Sequence, residues 1–159
     1  MVATEPLSLI EFSVMRIVVQ RVTGARVMVE GRAVAEIGPG LLLLVGIGRG
    51  DGKEGISWLA QKILNLRVFA DEQGRMDRSL LDIKGEILVV SQFTLYGDVR
   101  KGRRPSFDGA APPQEAAPLF RQFIEELRQS GPRVEQGIFG AHMAVELVND
   151  GPVTLILER

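Results

Sequence analysis

The sequence has no cysteine and a single histidine, His142. The first absence excludes disulfides, thiolate metal sites and cysteine nucleophiles. The second leaves no imidazole cluster for a metal, and a serine or threonine nucleophile has no histidine near it in the chain to take its proton. Neither a metal nor a cofactor is expected. Long hydrophobic runs are also missing: the longest, Leu41 to Val45, falls far short of the ~20 residues a membrane span needs. Residues 1–14 lack the basic start and long apolar segment of a secretory signal, so a cytoplasmic protein is expected. A formal net charge of −1 gives no global attraction to nucleic acid, and an acidic partner would have to meet a local patch.

What is present is ordinary for a folded domain: 159 residues, 45% hydrophobic and 25% charged. A chain of that length buries roughly 70% of its unfolded surface in one core. Residues 1–14 precede the first clear pattern and read as an N-terminal extension, with 15–159 a single domain. Met15 to Val22 is rich in β-branched residues and reads as a strand, broken at Thr23-Gly24. Ala25 to Glu30 turns at Glu30-Gly31 into Arg32 to Ile37. After Gly38-Pro39-Gly40, Leu41 to Ile47 is a fully apolar central strand. Ile56, Leu59, Ile63 and Leu66 recur at helical spacing, as do Leu119, Phe120, Phe123, Ile124 and Leu127. Between these helices, Ile87 to Leu95 reads as a strand buried on both faces. Ala141 to Val148, with Met143, Val145 and Leu147 inward, and Val153 to Glu158 read as strands interrupted at Asn149 to Pro152. The whole predicts an α+β domain, largely antiparallel, with two long helices.

Three stretches could carry chemistry. Ser91, Gln92, Phe93 and Thr94 stand at the end of a buried strand; they either terminate it or position a substrate, with backbone N–H donors stabilising an oxyanion. Asn149-Asp150-Gly151-Pro152 is either a plain hairpin turn or a rigid edge projecting two carbonyls. Arg100, Lys101, Arg103 and Arg104 crowd one loop, which is either merely solvated or neutralises phosphates. His142 reads as a surface or rim residue without a catalytic role.

Taken together, the blocks Met15 to Val22, Gly85 to Leu95, Arg100 to Phe107 and Phe139 to Thr154 resemble the D-aminoacyl-tRNA deacylase family, in order and to the C-terminus. The resemblance implies a barrel-like sheet core and a homodimer that hydrolyses the ester between a D-amino acid and the 3′ acceptor end of tRNA. It implies the same for glycine mischarged on tRNA. By position, Gln92, Phe93 and Thr94 match the catalytic strand, with Ser91 binding substrate beside them. Gly151 and Pro152 match a Gly-cisPro motif that enters the partner subunit's site and rejects L-amino acids, and Arg21 matches the arginine that holds it. Phe139 and Met143 match positions near the terminal adenosine, and Arg100 to Arg104 become candidate contacts to acceptor-stem phosphates. Two other readings stand beside it, a non-catalytic RNA-binding or dimerisation module and a small-molecule esterase.

Overall fold

The computed structural model describes residues 14–159; of the expected N-terminal extension, all but Val14 lies outside the described residues. The fold is built on β1 (Arg16–Val29), which pairs antiparallel with three strands: β2 (Arg32–Ile37), β3 (Gly40–Gly46) and β8 (Ala144–Glu158). On the far side of β3 the sheet continues in parallel through β6 (Glu86–Ser91) to β7 (Val134–Gln136). A small hairpin, β4 (Phe69–Ala70) and β5 (Met76–Arg78), stands apart. Helices α1 (Lys53–Asn65) and α3 (Pro113–Gln129) cover one face, and α2 (Leu80–Ile83) is a single capped turn. The α+β class and barrel-like sheet match the sequence reading, with antiparallel pairings in the majority.

The apolar strands are apolar throughout because both of their faces are covered. Leu41, Leu43, Val45, Ile87 and Val89 join the cluster beneath the helices, with Ile56, Leu59, Phe120 and Phe123. Leu42, Leu88 and Val90 point the other way, into a second cluster with Val22, Val27 and Ile37 inside the curved sheet. Close packing here also dictates Gly40, where a Cβ would fall 1.8 Å from the Glu86 carbonyl oxygen. No helix of the described residues is long and apolar enough to cross a membrane.

Four local expectations are corrected. Thr23-Gly24 does not break the first strand: β1 runs through it, and the register against β8 shifts there instead. Both halves of the strand keep partners. The last strand, β8, begins at Ala144 rather than Ala141, and the expected interruption is a bulge within it: pairing with β1 passes from Asn149 opposite Val22 to Thr154 opposite Gln20, and the four residues between lie beside Arg21. Ile87 to Leu95 is not one strand: β6 ends at Ser91 and Phe93–Tyr96 is a 3-10 turn. Beyond Ser91 the neighbouring β3 has only Gly46 left, so no ladder remains to hold the chain extended. Finally, Leu147 is 37% exposed rather than inward.

Candidate active site

Every residue of β6 before Ser91 except Glu86 is buried, so the strand delivers Ser91 and Gln92 from a rigid base. The Gln92 N–H donates to the Val45 carbonyl at 2.8 Å, the last bond to β3. The chain then coils, with the Leu95 N–H donating to the Gln92 carbonyl at 3.3 Å and the Gly97 N–H to the Thr94 carbonyl at 3.0 Å. A helical turn leaves its first N–H groups without internal acceptors. Here these are Phe93 and Thr94, and among the described residues no acceptor is bonded to either N–H. The Gln92 side-chain Nε2 donates to Thr94 Oγ1, so the Thr94 hydroxyl proton is left to point elsewhere.

The turn is fastened from behind. Arg16 Nη1 donates to the Leu95 carbonyl at 2.7 Å, and its Nε to Glu158 Oε1 at 2.7 Å. The Arg16 guanidinium also lies 5.4 Å from the centre of the Tyr96 ring. Tyr96 is buried, its hydroxyl shared between the Gly46 and Val14 carbonyls. Burial pushes the Tyr96 phenol up in pKa, and the nearby Asp51 carboxylate adds to the shift, so it serves as a neutral anchor. Asp51 is itself pushed up to about 6 by burial, against the pull of the Gly48 and Met15 N–H groups.

Ser91, Gln92 and Phe93 line a cavity of about 460 Å³ whose other walls include Phe107, Pro112, Phe120, Phe139 and Gly140. Phe107 meets Phe93 edge-on at 5.3 Å between ring centres, and Phe120 meets Phe139 at 5.8 Å. Such a cavity, apolar and aromatic with a few polar groups at one end, suits a flat heterocycle attached to a polar ester. Phe139 is part of this wall. Met143 does not line the cavity; its sulfur covers Gly137, where a Cβ would fall 2.7 Å away, and it packs against the inner cluster. His142 is exposed. Among the described residues no three His, Cys, Asp or Glu side chains gather in a way that could hold a metal.

The remaining predicted residues form a second group elsewhere. Arg21 pairs with Leu41 of β3, whereas Ser91 pairs with Val45. Four residues of strand separate these rungs, about 13 Å at ~3.3 Å per residue. In this second group the Arg21 Nε–H is shared by the Asp150 carbonyl oxygen at 3.0 Å and its Oδ2 at 3.3 Å. Arg21 Nη1 donates to the Val68 carbonyl at 2.6 Å. Gly151 and Pro152, joined by a cis peptide bond, are exposed at the turn so held. Within one chain, then, the residues predicted as catalytic and those of the turn are not brought together.

Sequence reasoning missed Arg16, Phe107, Phe120 and the part played by Asn149, whose Nδ2 donates to the Arg21 and Val153 carbonyls at 3.1 Å each. Only the last left a signal, since Asn beside Gly-Pro commonly bonds nearby backbone. On the basic loop, Asp98 holds Arg100 in a two-pronged pair, and the guanidinium draws its carboxyl down to about 2.

The chain is similar in sequence and fold to known proteins. A D-aminoacyl-tRNA deacylase of Thermosipho africanus is 58% identical over 144 residues, covering 91% of this chain and 97% of the relative. Another of that name, from Thermomicrobium roseum, is 60% identical over 91% of this chain and 94% of its own. Among solved structures, one named c-Myc DNA Unwinding Element Binding Protein superposes with a TM-score of 0.86 at 45% identity, over 91% of this chain and 98% of that one. A probable eukaryotic D-amino acid tRNA deacylase shares the fold, with a TM-score of 0.79 at 19% identity over 92% and 100%. The family model described as D-Tyr-tRNA(Tyr) deacylase matches residues 18–158, and the chain belongs to that family.

Proposed function

We propose that the protein hydrolyses the ester bond of D-aminoacyl-tRNA, releasing the free D-amino acid and tRNA. The observation that carries this reading is the pair of N–H groups on Phe93 and Thr94, without acceptors among the described residues, in the turn that begins at the cavity-lining Phe93. With the terminal adenosine in the cavity, the ester carbonyl would rest against these donors. Water adds to the carbonyl carbon, the oxyanion is held by the two N–H groups, and the bond to the ribose oxygen then breaks. The ribose oxygen leaves with a proton, with help from the neighbouring 2′-hydroxyl. An aminoacyl ester is already activated, so positioning and oxyanion stabilisation suffice without a nucleophilic side chain. Gln92 orients the Thr94 hydroxyl, and Ser91 lies beside the ester.

Selection against L-amino acids falls to the carbonyls of Gly151 and Pro152 from a second copy of the chain. Two observations support a homodimer with the site at its interface. The turn lies about 13 Å along the strand from Ser91 in its own subunit. In addition, among the described residues β8 pairs with β1 alone and leaves Val148 62% and Ile156 66% exposed. A filter made of main-chain carbonyls excludes any L side chain and recognises none, so many D-amino acids, and glycine, would be accepted.

Purified protein incubated with D-tyrosyl-tRNA, L-tyrosyl-tRNA and a free D-tyrosine ester tests the reading. Rapid loss of the first alone is expected. Loss of none of the three would leave a binding module, and equal loss of the free ester a general esterase.

A further inference from the structure

Because the chain as a whole carries a net charge of −1, a polyanion must find its cations concentrated in one place. The loop between Asp98 and Ser106 concentrates them. Its neck is closed by two bonds: the Asp98 N–H donates to the Ser106 carbonyl at 2.7 Å, and the Ser106 N–H to the Asp98 carbonyl at 2.9 Å. Arg100 is committed to that neck through Asp98. The tip turns at Gly102, with φ at +65°. Arg104 precedes Pro105, which favours an extended backbone at that step. The remaining cations, Lys101, Arg103 and Arg104, are exposed, and among the described residues none of them forms a close ion pair with a carboxylate, although Lys101 stands near enough to Asp98 to help lower its carboxyl. A short neck and a proline hold them as a group, so less conformational freedom is lost when a ligand binds.

The position of the loop identifies the ligand. Phe107 directly follows the neck, packs edge-on against Phe93 and lines the cavity. A Cβ on Gly97, at the other side of the neck, would fall 3.2 Å from the Phe107 ring, so the two sides fit closely. The cations therefore project from the rim of the cavity in which the 3′ end is read. A nucleic acid whose end enters the cavity brings its backbone phosphates past that rim.

We propose that Lys101, Arg103 and Arg104 bind backbone phosphates of the acceptor stem of the tRNA whose 3′ end occupies the cavity. This inference rests on the deacylase reading. The loop contributes affinity for the RNA and does not choose the amino acid, since it lies outside the cavity walls that meet the ester.

The test compares the full-length protein with its Lys101→Gln/Arg103→Gln/Arg104→Gln variant on two substrates, D-tyrosyl-tRNA and 3′-D-tyrosyl-adenosine. The quantity followed is kcat/KM from about 50 to about 200 mM salt; each neutralised phosphate contributes roughly 0.7–0.9 to the slope of log affinity against log salt. The variant should show a slope on tRNA shallower by roughly 2–3, with the loss confined to the tRNA substrate. The adenosine ester, which has no stem, also reports whether the variant is folded. An unchanged slope on tRNA, or an equal loss on both substrates, would overturn the loop's role. Failure of the unmodified protein on both substrates would instead overturn the deacylase reading beneath it.

Discussion

Asn149 donates from Nδ2 to the backbone carbonyl of Arg21 at 3.1 Å, and Arg21 replies through Nε to the carbonyl of Asp150 at 3.0 Å. The second Nδ2 proton goes to the Val153 carbonyl at 3.1 Å, so the amide spans the Gly151-Pro152 turn. With both protons used, its Oδ1 is fixed beneath Gly151, where a Cβ would fall 2.7 Å away. Asn149 is therefore a positioning residue for the turn, and the reason that position 151 has no side chain.

Replacing Asn149 by Asp keeps the shape and removes both donors. Two hydrogen bonds at ~1 kcal/mol each would be lost. The D-to-L rate ratio on tyrosyl-tRNA should fall roughly tenfold, from an L-activity that rises while D-activity changes little. A Gly151→Ala substitution should be more harmful alone than in an Asn149→Ala background, because the clash needs the fixed Oδ1. If the two effects simply add in melting temperature, the packing account fails.

Arg16 ties the Phe93–Tyr96 turn, the proposed oxyanion-binding element, to the body of the protein through the Leu95 carbonyl and Glu158. A hydrogen bond to a charged group is worth ~1.5–3 kcal/mol. Arg16→Gln should lower kcat by about tenfold or more with little change in KM, and Arg16→Lys should restore part of it. A change in KM alone would mean that Arg16 acts on binding and not on the turn's alignment.

How far the molecule could be read beforehand depended on whether the deciding contacts were local. The two-faced apolarity of Leu41 to Val45 and Ile87 to Val90, and the helical spacing around Phe120 and Phe123, are written in neighbouring residues and emerged as the core. The ends of elements were not. Whether the chain stops being a strand at Ser91 depends on where β3 runs out, and whether Asn149 to Pro152 interrupt β8 depends on β1 lying alongside. The site divides in the same way. Gln92, Phe93 and Phe139 could be picked out as motif residues, yet the Arg16 bond to Leu95 joins positions 79 apart, and nothing local announces it.

The Asp51 carboxyl predicts a pH effect on stability. Burial raises it from 3.8 to about 6 in the folded chain. An acid that holds its proton more tightly when folded favours the fold at low pH. That contribution is present below about 4 and is lost as pH rises through about 6. The carboxyls of Asp98 and Glu86, both lowered, work in the opposite sense, losing their contribution as pH falls, so the difference between proteins is the informative quantity. Asp51→Asn should melt higher than the unmodified protein at pH 7, and the gap should close on acidification toward pH 4. A gap that is constant with pH would show that Asp51 does not titrate in this range.

The free side of β8 predicts the assembly. Val148 and Ile156 lose little on substitution in an isolated chain, because at 62% and 66% exposure they have few neighbours to leave. If instead they meet a second copy, a charge there must be desolvated without a partner, at a cost of several kcal/mol. Val148→Lys/Ile156→Lys should therefore keep its melting profile near that of the isolated fold and run as a monomer in light scattering. Because the Gly151-Pro152 turn would then be missing from every site, discrimination between D- and L-tyrosyl-tRNA should collapse along with the dimer. A variant that is monomeric yet discriminates as before would mean the selective turn acts within its own subunit.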